Sequence, residues 1–226
     1  MLALLYDVHG NLPALEAVLE DAAAVGAESY LLGGDYALFG AWPLETVERL
    51  RRLDAEWIRG NGERWTAAPE EAPDPVRGAV GRCSELLGEG LVAELAGLPE
   101  TLDRGDALFC HGAPVSDVRS FLPEAADGDE ELLGGVEARR VVFGHTHLAF
   151  ERVGPRSVEL VNPGSVGMPF DGDPRAAYAL LREGGEVEQR RVAYDHMASA
   201  RAVRERLEED GEVPARRIEL ARLDVG

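Results

Sequence analysis

Four of the five histidines in this 226-residue chain sit in short clusters with carboxylates, an amide and glycine. The clusters are Asp7-Val8-His9-Gly10, Gly34-Asp35, Gly60-Asn61-Gly62, His111-Gly112 and Gly144-His145-Thr146-His147. Together they offer two carboxylates, four imidazoles and one amide. Imidazole and carboxylate accept Zn, Mn, Fe or Ni, with cellular supply often deciding among them. Seven such groups exceed what one tetrahedral ion takes, and they suit two ions if one carboxylate bridges. Paired ions of this kind lie ~3.5–4 Å apart and clamp an in-line displacement. Each residue alone has a blander reading. Asp7 could favour a helix N-terminus through the dipole. Asp35 and Asn61 could be turn residues beside glycine. His145 and His147 would share one face of a strand that ran through them. Four histidines together with these acids and the amide argue for one common site. The fifth histidine, His196, reads as a surface or helix-start residue.

Positioning these groups requires a repeated strand–loop–helix pattern. Leu2 to Tyr6 is an apolar run that stops at Asp7 and reads as a buried strand. Asn11 is a good N-cap, Pro13 fits a first helical turn, and Leu12, Leu15, Val18 and Leu19 recur at helical spacing until Gly26. Strands are predicted at 29–32, 56–59, 107–110 and 140–143, and helices at 43–53, 86–98 and 128–138. Residues 66–78 read as a loop or crossover. Each early strand ends in one of the polar clusters, which is where open α/β sheets bind ligands. Later the pattern changes to strands at 157–161, 176–181 and 187–192, then an amphipathic helix from Tyr194 with Met197, Val203 and Leu207 on one side. The charged tail after Gly211 shows no clear element. One domain spanning 1–226, with 195–226 as a C-terminal helical extension, is the simplest organisation.

In their order and spacing, these blocks resemble the calcineurin-like metallophosphoesterases, and within them the small bacterial and archaeal phosphodiesterases. His111-Gly112-Ala113-Pro114, the stretch Asn162-Pro163-Gly164-Ser165-Val166-Gly167 and Asp171-Gly172-Asp173-Pro174-Arg175 are similar to that subgroup too. The resemblance runs from about Leu2 to Leu181. It implies an α/β fold, a four-layer sandwich of two mixed β-sheets flanked by helices. It implies that Asp7, His9 and His147 hold one divalent ion, that Asn61, His111 and His145 hold a second, and that Asp35 bridges them. Asp35, Asn61 and His111 are then the residues nearest the reaction. The implied activity is hydrolysis of phosphate esters, above all phosphodiesters, by a hydroxide shared between two ions, with manganese the ion of choice in vitro. The chain departs from the family at Gly62, where many relatives carry histidine and small prokaryotic ones often cysteine. Glycine offers no proton donor, so esters with poor leaving groups should react slowly and activated or cyclic diesters tolerably. Met168 and Phe170 depart as well, making the expected rim of the site more apolar.

Composition bounds the partners. The formal net charge is −19, and all 23 basic residues are arginine. No basic stripe is present, which argues against stable nucleic-acid binding and against a nuclease, while a small phosphate-ester substrate stays compatible. Cys83 and Cys110 form no Cys-x-x-Cys pattern, as suits a reducing cytoplasm, where we expect the protein. The start lacks a basic leader, and no apolar run reaches the ~20 residues of a membrane helix. A homodimer could use an exposed sheet edge or the apolar segment Leu38–Trp42. A catalytically weak scaffold is the competing function, since the fold also resembles the retromer scaffold subunit. Gly62 keeps that reading alive, and the full ligand set opposes it.

Overall fold

The computed structural model describes residues 1–225. Two five-stranded mixed sheets pack face to face. The first has the order β10 (Val187–Val192), β9 (Ala176–Leu181), β1 (Leu2–Leu5), β2 (Ser29–Leu32), β3 (Ala55–Trp57). Strands β1, β2 and β3 run parallel, while β9 and β10 join antiparallel at the β1 edge, with Leu2 opposite Leu181. The second has the order β4 (Thr101–Arg104), β5 (Ala107–Cys110), β6 (Arg140–Val142), β8 (Glu159–Pro163), β7 (Ala149–Val153). Its inner strands β5, β6 and β8 are parallel, and β4 and β7 are antiparallel edges.

The alternation of side chains along β1 explains the layering. Leu2 and Leu4, continued by Tyr6, face the second sheet and pack with Leu31, Phe109, Val142 and Val161. Ala3 and Leu5 face the opposite way, onto α1 (Leu12–Ala24) and α2 (Pro43–Leu50) through Leu15, Val18 and Val47. A strand buried on both faces is a continuous apolar run, as this one is. The outer face of the second sheet carries Val141, Phe143 and Leu160 beneath Phe121, Leu132 and Leu133. The helical cover there is a single short helix, α5 (Asp129–Leu133). It is shorter than the expected 128–138 because Gly134 takes a left-handed conformation with φ +54°.

Several elements differ from the sequence expectation. A helix, α3 (Asn61–Ala67), begins directly at the end of the β3 loop, where no helix was expected. The following helix, α4 (Arg77–Ala96), starts nine residues before the expected Leu86 and contains a break at Gly88, with φ 75° and ψ 155°. Edge strands β4 and β7 were not foreseen. Thr101–Arg104 and Ala149–Val153 are mostly exposed or half-buried and carry no apolar run. The tail forms α7 (Glu212–Leu220), which packs on α6 (His196–Leu207). Val203, Leu207, Ala215 and Ile218 of this pair bury Ala41 and Met168. Within the segment 38–42, Leu38 is 1% and Ala41 3% exposed, while Phe39 and Trp42 are half-buried. Met197, expected on the apolar face of α6, is 43% exposed instead. Among the described residues, no helix is long and apolar enough to cross a membrane.

Candidate metal centre

All seven residues singled out by sequence converge beyond the carboxyl ends of β1, β2, β3, β5 and β6. His9 Nε2 lies 3.0 Å from His147 Nε2 and 3.8 Å from Asp35 Oδ2. His147 Nε2 lies 3.6 Å from Asp7 Oδ1. On the other side His111 Nε2 lies 3.0 Å from Asn61 Oδ1 and 3.5 Å from Asp35 Oδ1. The Asn61 amide group also stands 2.9 Å from His145 Nδ1. The two Asp35 oxygens thus face different halves of the cluster. Asp7 belongs to both of the compact triads, with His9 and His147 and with Asp35 and His111.

The backbone that presents these groups is unusual. Asp7, His9, Asp35, His145 and His147 all have positive φ, between 50° and 66°. Non-glycine residues rarely adopt this region, and such outliers gather at functional sites. His145 and His147 therefore lie in a loop after β6, which overturns the reading of them as a pair on one continuing strand. Gly34, with φ +95°, must be glycine: a Cβ there would stand 2.5 Å from Gly60 N and 2.8 Å from His111 Nδ1. Gly62 donates its N–H to Asp35 Oδ1 at 2.7 Å, and a Cβ at that position would come within 2.8 Å of the same oxygen. The missing side chain at 62 is thus matched to the placement of Asp35.

Protonation can be assigned from the hydrogen bonds. His9 Nδ1 donates to Leu38 O at 2.9 Å, His111 Nδ1 to Gly33 O at 2.9 Å and His147 Nδ1 to Met168 O at 2.5 Å. A carbonyl only accepts, so each Nδ1 carries the proton. In the neutral rings each Nε2 then turns a lone pair inward. Burial pushes His9 down to about 3 and His145 to about 4, and lowers His111 and His147 as well. The two imidazole lone pairs of His9 and His147, facing each other at 3.0 Å, repel unless a cation lies between, whereas the Asn61 amide can turn its NH₂ towards His111 and His145 when no cation is bound. Burial likewise raises Asp7 and lifts Asp35 to about 6. Asp7 Oδ1 is buried without a hydrogen-bond partner. The donor set and its orphaned oxygen fit divalent cations, with Nδ1–H fixed outward as metal-binding histidines require.

Two supporting groups escaped the sequence reading. Glu63, only 3% exposed, accepts the backbone N–H groups of Asp35 (2.9 Å), Tyr36 (2.9 Å) and Gly60 (2.7 Å). It ties the β2 loop, which carries Asp35, to the β3 loop, which carries Asn61. Its signal was its place three residues after Gly60, the glutamate half of a capping box. The other is Arg217 of α7, which reaches the same cavity from the far end of the chain. No local motif marks it. By contrast, Ser165 lies in a buried turn as expected, and Asn162, at the end of β8, shapes that turn by accepting from Gly164 N at 2.9 Å. Ser165 Oγ donates to Asp7 O at 2.7 Å, and Asn162 Nδ2 donates to Gly144 O at 3.1 Å.

The cavity beside the cluster measures about 400 Å³ and is lined by His9, Asp35, Asn61, His145 and His147. A separate cleft of about 520 Å³ lies among Arg104, Arg139, Arg140 and Arg182, away from all seven residues. Each of those arginines is already paired with a glutamate.

Fold and site together define a metallophosphoesterase. The calcineurin-like phosphoesterase superfamily domain matches residues 1–185, and the chain belongs to that superfamily. Over 235 aligned positions it is 29% identical to an uncharacterized protein of Methanocaldococcus jannaschii, covering 92% of this chain and 94% of the other. The crystal structure of a metallophosphoesterase from Sphaerobacter thermophilus is similar at 26% identity and a TM-score of 0.80, covering 97% of this chain and 99% of that one. A hypothetical protein from Pyrococcus horikoshii shares the fold at 23% identity, with a TM-score of 0.82 and 98% of each chain covered. Both structural relatives therefore extend over the C-terminal helices that lie beyond the family match.

Proposed function

We propose that the protein is a phosphodiesterase for small substrates that works with two divalent ions. The observation that carries this reading is the inward convergence of unprotonated imidazole and carboxylate lone pairs around Asp35. Asp7, His9 and His147 would hold one ion and Asn61, His111 and His145 the other, with Asp35 reaching both. Such ions, when bound, lower the pKa of water towards ~7 and neutralise charge that develops on the phosphoryl oxygens. The chain's own part is positioning. Carbonyl acceptors at Leu38, Gly33 and Met168 keep the imidazoles oriented, burial keeps them neutral, and Glu63 keeps Asp35 and Asn61 in register. Activated or cyclic diesters are favoured over esters that need protonation of a poor leaving group, because Gly62 supplies no acid and a positioned general acid contributes roughly 10²–10⁴-fold.

The test is hydrolysis of bis-p-nitrophenyl phosphate with manganese, for wild type and Asn61→Ala in parallel. Turnover that requires metal and falls by about a hundredfold or more in the variant is expected, of the order of losing a group that acts on the reacting centre. Absence of turnover above the variant, with two ions confirmed bound, would overturn the catalytic reading and leave a metal-binding scaffold.

A further inference from the structure

Five of the seven clustered residues line part of the 400 Å³ cavity; its remaining walls have a different character. Phe39, Trp65 and Phe170 line it, together with Leu122 and Leu223, which are 49% and 51% exposed. Leaving two leucines half in water beside three aromatic rings costs hydration free energy that an apolar occupant would recover. Phe39 is held at φ +74°, a conformation bulky residues avoid, with its ring centroid 5.8 Å from that of His9. Phe170 stacks on His147, centroids 4.3 Å apart and planes 16° from parallel. The guanidinium carbon of Arg217 lies 5.8 Å from the Phe170 ring centre. Arg217 is the one basic residue among those lining the cavity. It is half-buried, its Nε donates to Leu223 O at 3.1 Å, and its nearby opposite charge, Asp224, acts on it without a close ion pair among the described residues. Burial pushes its guanidinium down from its usual range. In a chain of net charge −19, a cation held in an apolar wall next to a candidate metal centre has a ready use.

We propose that Arg217, with the Phe39–Trp65–Phe170 wall, forms a substrate-recognition subsite for phosphate esters that carry a flat aromatic group. Arg217 binds the anionic oxygens of the ester, and the wall takes the aromatic group that is not expelled. This rests on the phosphodiesterase reading for its kinetic arm only. It also gives the C-terminal helices a function: α7 brings in a binding residue that the first 185 residues lack.

The experiment compares bis-p-nitrophenyl phosphate with methyl p-nitrophenyl phosphate, which have the same charge and the same leaving group. Wild type, Arg217→Ala, Arg217→Lys and Trp65→Ala are loaded with manganese. KM for the diaryl ester should be about tenfold below that for the methyl ester, as one well-buried apolar group allows. Trp65→Ala should erase most of that gap. Arg217→Ala should raise KM for both esters about tenfold with kcat nearly unchanged, and Arg217→Lys should recover part of the loss. Calorimetric binding of phenylphosphonate and methylphosphonate to the same loaded proteins forms the second arm. The phenyl compound should bind more tightly, and Arg217→Ala should weaken both. Wild type inactive on both esters would defeat the phosphodiesterase reading while the binding arm still decides the subsite. Equal affinity for the two phosphonates, or Arg217→Ala binding like wild type with its melting temperature preserved, would overturn the proposal.

Discussion

At the scale of single residues, the site is a balance of protons that a cation must win. Protons compete with cations for the same lone pairs, so each group binds metal freely only above its own pKa. Burial places His9 at about 3 and His145 at about 4, so neither holds a proton to be displaced near neutrality. Asp35, lifted by burial to about 6, and Asp7, raised in the same way, are the groups that do. Metal affinity should therefore weaken as pH falls through about 6, from carboxylate protonation, well before the imidazoles charge. Calorimetric titration with manganese in buffers of different ionisation enthalpy should show more protons released at pH 5.5 than at pH 8. Release that instead grows around 6.5 and disappears in His9→Ala would mean that the histidines titrate as ordinary exposed ones. Glu63 poses a separate question of geometry. Its two oxygens accept three backbone N–H groups, and a glutamine amide would turn an NH₂ towards at least one of them. Glu63→Gln should cost about 1–3 kcal/mol for a buried donor left unpaired. It should also lower bound metal below two ions per chain. Urea denaturation and elemental analysis would measure both, and full metal content at unchanged stability would show that the clamp is dispensable.

At the scale of elements, what the sequence displayed and what it hid divide along physical lines. Buried parallel strands and their glycine-flanked ends were legible because both faces of β1 are apolar and the polar residues from Asp7 interrupt that run abruptly. The N-cap of α1 was equally plain, with Asn11 accepting from Ala14 N. Edge strands β4 and β7 were not, since half-exposed pairing leaves no hydrophobic signature and depends on a neighbour far along the chain. Helix α3 was hidden because its first residues, Asn61 and Gly62, read as turn formers; Glu63 beneath them supplies the missing cap. That these seven polar residues would come together was readable from type and order. Their supports were not, because Glu63 and Arg217 act through contacts across 27 and more positions. The buried turn at 162–167 lies between these extremes. Ser165 Oγ donates to Asp7 O and accepts from Met168 N, so one hydroxyl links the first strand's loop to the carbonyl neighbour of His147. Ser165→Ala should destabilise the fold by about 1–3 kcal/mol, the cost of orphaning buried polar groups. Ser165→Thr, which keeps the hydroxyl, should lose less if its methyl is accommodated. Equal losses in the two variants would assign the effect to packing in the turn.

For the whole molecule, an ion held at the candidate centre would also be a stability device. Without cations, two buried carboxylates face each other in a chain of net charge −19, and both are raised by burial. Ions that bind only the folded chain stabilise it by about 2.7 kcal/mol per site at a hundredfold excess over Kd. For a chain of this size each kcal/mol moves the melting temperature by roughly 2–4 °C. If the chain holds two ions as proposed, removing them with a chelator should thus lower it by roughly 10–20 °C at pH 8. The sign with pH follows from the carboxylates. Their folded-state pKa values are raised, so the metal-free chain is penalised most above about 6, where they must ionise without a counter-ion. Below that pH the penalty fades and metal binds less well, so the gap between the two melting curves should close towards pH 5. General screening offers a rival explanation, because any salt relieves self-repulsion in an acidic chain. Sodium chloride at matched ionic strength separates the two. Screening would give the same rise without manganese and would persist in Asp35→Asn, whereas occupation of the centre gives a rise that sodium cannot reproduce and that this variant loses.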